Sequence, residues 1–241
     1  MADVVYPPVI FAMRTLFKAL GLQIKITGEE HIPTTGGALM VINHIGYLDF
    51  ALAGLSVIPR KRFVRFMAKK EVFDNKFAGP LMRGMHHISV DRANGSGSFV
   101  TALRALRAGE IVGIFAEGTI SRSFEIKELK TGATRLAGSS GVPILPVIVW
   151  GSQRVWTKGH KRNFRRSHIP VTIAIGEPFT IERTVDPATS ETLLRHRLES
   201  LLHDTQANYP DSHAQQWWAP ARLGGTAPTP EQVEQQKKGN L

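Results

Sequence analysis

Short unbroken runs of apolar residues at 38–42, 111–116 and 144–150, each bounded by glycine, proline or polar residues, leave this chain few folds to choose from. Runs of this length read as strands buried on both faces. Residues 22–27 add a half-buried strand in which Leu22, Ile24 and Ile26 alternate with Gln23, Lys25 and Thr27. Further strands are expected at 63–68, 86–90 and 171–175. Helical spacing lies between them: 7–20, 47–58 (stopped before Pro59), 72–83, 99–108 (after a flexible Gly95–Ser98 lead), 130–139 and 190–207. Strands alternating with helices indicate an α/β fold, here a single domain with a largely parallel central sheet, flanking helices and an N-terminal amphipathic helix. Pro146 inside 144–150 calls for an edge strand or a bulge. The expected organisation is a helix over 1–21, a domain over 22–209 and a loosely ordered tail over 210–241. In that tail Trp217 and Trp218 fold back onto the domain or sit at a membrane interface.

The 241 residues carry 30 Lys+Arg against 20 Asp+Glu, a formal charge of +10. Such a surface favours anionic partners, whether nucleic acid, acidic lipid headgroups or phosphorylated substrates. Two basic runs, at 60–70 and 154–166, concentrate the charge. No zinc spacing, aromatic RNA-binding pattern or long basic helix accompanies them, so nucleic acid is not the expected partner. The absence of cysteine removes disulfides, thiolate metal sites and a cysteine nucleophile, and suits a cytosolic environment. The Met1-Ala2-Asp3 start lacks the cationic opening of a secretory signal. The 7–20 helix is too short and too charged to span ~30 Å of hydrocarbon. It either packs on the domain or lies on the membrane.

The candidate chemistry starts at the end of 38–42. His44 and Asp49 stand five positions apart; on one continuous helix they would face about 140° apart and never touch. With His44 in the strand-end loop and Asp49 in the first turn of the next helix they can meet, and the carboxylate then fixes the imidazole tautomer. Ligands gather at the carboxyl ends of strands in open α/β sheets. Other strands here end in Lys69-Lys70, Asp91-Arg92 and Glu117-Gly118-Thr119, so a base, a carboxylate, positive charge and a hydroxyl-binding pair are expected along one edge. A metal hydrolase built on His44 and Asp49 lacks further ligands at useful spacing.

These blocks resemble the glycerolipid acyltransferases that include 1-acylglycerol-3-phosphate acyltransferase. Asn43-His44 through Asp49 is similar to that family's N-H-x4-D block, and Phe115-Ala116-Glu117-Gly118-Thr119 to its F-P-E-G-T block. Residues 84–92 resemble the block that ends in an anion-binding arginine, and 142–147 its V-P-I-x-P-V block. Ala68-Lys69-Lys70-Glu71 matches a weaker segment. The likeness covers roughly 28–178. It departs from the family at Ala116, where proline is usual, and after Thr119, where Ile120-Ser121 precede Arg122.

The resemblance implies acyl transfer from acyl-CoA or an acyl carrier protein to a lysophospholipid hydroxyl. His44 would be the base and Asp49 its orienting partner. Lys69, Arg92 and Arg122 would hold the acceptor's phosphate, and Glu117 and Thr119, with Gly118 between them, would bind a glycerol hydroxyl or brace the pocket. No cofactor beyond the thioester co-substrate and no metal is expected. The place of work would be the cytoplasmic face of the cell membrane, against an anionic lipid surface. With neither cysteine nor a G-x-S-x-G elbow, a covalent acyl-enzyme has little support.

Overall fold

A computed structural model describes residues 3–91 and 95–238. Its centre is a seven-stranded sheet: β1 Gln23–Thr27, β2 Ala38–Ile42, β3 Val64–Lys69, β4 Ile88–Val90, β5 Ile111–Ile114, β6 Ile144–Trp150 and β7 Pro170–Ile175. The spatial order is β1-β7-β6-β2-β5-β3-β4. Only the β6–β7 pair is antiparallel. Helices pack around the sheet: α1 Tyr6–Ala19, α2 Asp49–Ser56, α3 Lys70–Asp74, α4 Ala78–Gly84, α5 Gly95–Arg107, α6 Gly132–Ser140, α7 Pro187–Ala207 and α8 Pro230–Lys238. The α/β reading with a mainly parallel sheet and flanking helices holds.

Successive strand side chains point to opposite faces, and both faces of this sheet are covered. Leu39, Val41, Val112 and Ile148 join Leu106 of α5, Leu136 of α6 and Leu194, Leu198 and Leu202 of α7 in one core. Met40, Ile42, Val147 and Val149 face the other way, onto Phe17 of α1 and Leu52 and Leu55 of α2. That double coverage explains why β2 and β6 read as unbroken apolar runs. Among the described residues no helix is long and apolar enough to cross a membrane.

Several boundaries move for local reasons. The first residues of 47–58 are not helical: the chain turns at Gly46 and enters α2 only at Asp49, and residues Ile58–Arg60 form a separate 3-10 turn. The expected 72–83 helix is two, because Asn75 Oδ1 accepts from Phe77 N and Ala78 N at 3.0 Å each and starts α4 afresh. His86 lies at φ 56°, so β4 begins beyond it at Ile88. Gly95–Ser98 is not a flexible lead but the first turn of α5, where the first N–H groups need no partner within the helix. Pro146 sits in a central strand, so the bulge alternative holds and the edge alternative fails. Ile144 bridges Phe179 while Pro146 O accepts from Gly176 N at 2.9 Å, setting three chain steps against two.

The segment after Tyr209 is also a correction. Trp218, Ala219, Ala227 and Val233 are buried, and all but Val233 belong to the core on the α7 face. The paired tryptophans fold back onto the domain: Gln153 Nε2 donates to Trp218 O at 3.1 Å, and Trp217 packs against that core. Proline and glycine content here marks turns, not disorder.

Asp3 ties the start of α1 to the sheet. Arg65, 5% exposed, donates to Asp3 at 2.6 and 3.0 Å and to Glu110 at 3.1 and 3.2 Å. The guanidinium beside it holds the Asp3 carboxyl below its ordinary value. Both carboxylates keep some water contact, so the arrangement contributes modestly. Arg65→Met strips the charge from between them and is expected to lower unfolding free energy by about 1–3 kcal/mol. Urea denaturation checks this, and an unchanged midpoint contradicts it.

Candidate active site

β2 delivers the site. Beyond Ile42 the backbone makes one more bond, from Asn43 N to Val147 O at 3.3 Å, and the Asn43 side chain then continues the ladder. Asn43 Oδ1 accepts from Val149 N at 2.8 Å and Asn43 Nδ2 donates to Val149 O at 3.1 Å. A carboxamide sets an acceptor oxygen beside an N–H donor, so it stands in for a peptide group and adds a last rung against β6. His44 therefore starts from a fixed point.

Asp49 stands at the start of α2 with no solvent exposure. Its Oδ2 accepts from Ile45 N and Gly46 N at 2.8 Å each, and from His44 Nδ1 at 3.1 Å. Its Oδ1 accepts from Ser152 Oγ at 2.5 Å. An ionised carboxylate only accepts, so the proton between the two rests on Nδ1, and in the neutral ring Nε2 keeps its lone pair. Nε2 has no hydrogen-bond partner among the described residues, and the His44 side chain is 22% exposed. Phe115 flanks the ring at 4.4 Å between centroids. His44 and Asp49 meet as expected, across a strand-to-helix turn.

Gly46 is required at that turn. A Cβ there would lie 2.9 Å from Ser152 Oγ and 3.1 Å from Trp156 O. The crowding is useful, because the segment after β6 closes over the turn: Tyr47 N donates to Trp156 O at 3.0 Å and Thr157 Oγ1 to Ile45 O at 2.6 Å.

Glu117 is turned inward, against the His44 turn. Its Oε1 accepts from His44 N at 2.8 Å and its Oε2 from Lys127 N at 3.2 Å, with the residue 6% exposed. Both oxygens are thus occupied by backbone, and the side chain braces the His44 turn against the loop after β5 instead of reaching for a hydroxyl. Burial pushes its carboxyl up to about 7, against the two N–H donors that favour the ionised form. Gly118 takes a left-handed turn at φ 69° under the Lys130 side chain. Thr119 is exposed, and its hydroxyl and carbonyl accept from Lys127 Nζ at 2.5 and 3.0 Å.

The two residues that displace Arg122 have work of their own. Ile120 is buried, and Ser121 N donates to His44 O at 2.7 Å. They carry Arg122 away from the β5 end towards Gly159, whose hypothetical Cβ would stand 3.9 Å from Arg122 Nε. Lys69 is the exposed last residue of β3, on the same carboxyl edge of the sheet as His44. Arg92 lies outside the described residues. Sequence reasoning missed Ser152, Lys127 and Thr157. Their bonds to the site span 103, 10 and 112 positions, and only the obligatory Gly46 hinted that something presses on the turn.

The acyltransferase family profile matches residues 23–150, which is more than half of the chain and contains every element of this site except Ser152 and its loop. The chain belongs to the acyltransferase family. This acyltransferase is 33% identical over 156 residues to a 1-acyl-sn-glycerol-3-phosphate acyltransferase of Bacillus subtilis, covering 64% of the chain and 73% of that protein. A protein of the same name from Limnanthes douglasii is 34% identical over 172 residues, 69% of the chain and 58% of the plant protein. The fold resembles the crystal structure of the 1-acyl-sn-glycerophosphate acyltransferase PlsC of Thermotoga maritima, with a TM-score of 0.69 at 21% identity, over 86% of this chain and 82% of that one.

Two outcomes follow from the acyltransferase's geometry. Ser152→Ala leaves Asp49 Oδ1 without its hydroxyl, and is expected to cost about 1–3 kcal/mol of stability and to slow acyl transfer. Urea denaturation and turnover check it, and wild-type values in both contradict it. Glu117 releases its proton near 4.5 when unfolded but near 7 when folded. Between those values the folded state binds more protons, so this residue's contribution to stability is full below pH 4.5 and lost as pH rises towards 7. Glu117→Gln is expected to flatten that descent in a melting-temperature series across pH, and an identical slope contradicts the assignment.

Proposed function

We propose that this acyltransferase moves an acyl chain from a thioester to the free hydroxyl of a lysophospholipid, with 1-acylglycerol-3-phosphate as acceptor and phosphatidic acid as product, placing it in phospholipid biosynthesis. One observation carries the reading. The imidazole at the sheet's carboxyl edge has its Nδ1 hydrogen-bonded to a fully paired, buried carboxylate, while its Nε2 has no partner among the described residues. The names of its relatives favour this acceptor over glycerol 3-phosphate or another lysolipid.

In this mechanism Nε2 of His44 takes the acceptor's hydroxyl proton as the oxygen bonds to the thioester carbonyl carbon. Asp49 holds the ring in place and stabilises the imidazolium that forms. The tetrahedral intermediate collapses with cleavage of the carbon–sulfur bond, and the proton on Nε2 passes to the departing thiolate. Glu117 and Ser152 act through the turn and through Asp49. Lys69, with Arg92, neutralises the acceptor's phosphate. The donor is acyl-CoA or an acyl carrier protein. The enzyme works peripherally on an anionic membrane at the cytoplasmic face. Phe11 and Leu16, exposed on α1, suit contact with that lipid.

His44→Ala is expected to lower kcat by about 10²–10⁴-fold, with a large loss also for Asp49→Asn. The assay is transfer of labelled acyl groups from acyl-CoA or acyl carrier protein to a panel of lysolipids and glycerol 3-phosphate. Near wild-type rates in His44→Ala would contradict the mechanism. Preference for an acceptor without phosphate would contradict the role of Lys69.

A further inference from the structure

The two basic runs meet different fates. In the first, Arg60 Nε donates to Ile32 O at 3.1 Å, and Arg62 donates to the carbonyls of Pro33, Gly36 and Gly109 at 2.9, 2.8 and 2.6 Å. Arg65 is held by Asp3 and Glu110. Those charges are consumed by the fold. In the second run only Arg154 is, on Asp211 at 2.5 Å and over the Trp218 ring. Lys158, Lys161, Arg162, Arg165 and Arg166 are exposed, and among the described residues none of them has a carboxylate within ion-pair distance. No Asp or Glu occurs between Gly151 and Gly176. Like charges gathered without counter-charge repel one another, and an arriving anion relieves that repulsion.

Position gives this loop a purpose. It leaves the carboxyl end of β6, next to β2, and is pinned to the His44 turn through Trp156 and Thr157. Arg122 joins it beside Gly159, and burial followed by the Arg122 charge disfavours protonation of His160. Trp156 and Phe164 pack edge to face at 5.7 Å, with Arg162 over the Phe164 ring. Lys69 stands on the other side of β2, at the end of β3. Transfer from coenzyme A to a phosphorylated acceptor needs two anion sites, one near the base for the acceptor's phosphate and one a pantetheine arm away for the nucleotide. Two basic places, one on each side of β2, meet that need.

We propose that the 158–166 loop, together with Arg122, binds the phosphorylated adenosine diphosphate end of coenzyme A, leaving the Lys69 side to the acceptor's phosphate. Phosphates meet the lysines and arginines, and the exposed Phe164 ring offers aromatic surface to the adenine. The assignment rests on the thioester-transfer reading of the site and specifies its donor. It also moves Arg122 from the acceptor to the donor.

The test is the triple variant Lys158→Glu, Lys161→Glu, Arg162→Glu, all at exposed positions, with its melting temperature confirming the fold. Its KM is measured for acyl-CoA, for S-acyl-pantetheine (which lacks the nucleotide) and for the lysophosphatidate acceptor. A rise of about tenfold or more in KM for acyl-CoA, with the other two unchanged, is the expected result. Equal rises for both donors, or a rise for the acceptor alone, overturns it. Unchanged donor KM with lost sedimentation on anionic phosphatidylglycerol vesicles also overturns it and gives the loop to a lipid surface. Wild-type transfer from acyl carrier protein but never from acyl-CoA refutes this donor and leaves the proposed reaction standing. No transfer from any thioester refutes the reaction itself.

Discussion

A carboxylate with no access to water must have its lone pairs filled from within, and the arrangement around Asp49 follows from that constraint. Four donors reach it: two backbone N–H groups of the turn, the Ser152 hydroxyl and the His44 ring. They come from three different demands on the fold. The N–H groups require a tight turn and a glycine at position 46. The hydroxyl requires the segment after β6 to fold across the end of β2. The ring requires His44 to leave the strand in one direction, which the Asn43 rung and the Glu117 brace secure. The pair is therefore a product of three loops at one sheet edge.

Much of this was legible in the residues, and what was not has physical causes. Continuous apolar runs revealed β2 and β6 because a parallel sheet covered on both faces leaves no polar side to alternate. The five-residue spacing of His44 and Asp49 admitted contact only across a strand-to-helix turn, as found. Pro146 misled in part, since its missing donor falls where Gly176 to Phe179 bulges and no partner is owed. The tail misled because proline and glycine report backbone freedom and say little about burial. Trp218 and Ala227 supply the packing that composition alone does not show. For Glu117 the residues left hydroxyl binding and bracing both open, because sequence does not reveal which way a carboxylate turns. Ser152 carried no signal at all.

Charge needed the same discrimination. A formal +10 invites one broad anionic surface, yet Arg60, Arg62, Arg65 and Arg154 are bound up in carbonyls, carboxylates and an aromatic ring. At the carboxyl edge, basic side chains outside that set fall on two sides of β2, Lys69 on one and Arg122 with the loop after β6 on the other. The Ile120-Ser121 insertion produces that division, anchoring to His44 O while it sends Arg122 across.

The central claim, that Asp49 holds His44 with Nδ1 protonated and Nε2 free, is open to direct measurement. Nitrogen-15 NMR of the His44 ring, at a pH where the imidazole is neutral, distinguishes the two tautomers. The account predicts a protonated Nδ1 and a bare Nε2 in the wild type, with that preference weakened in Asp49→Asn. A wild-type ring protonated on Nε2, or one indifferent to Asp49, would contradict it.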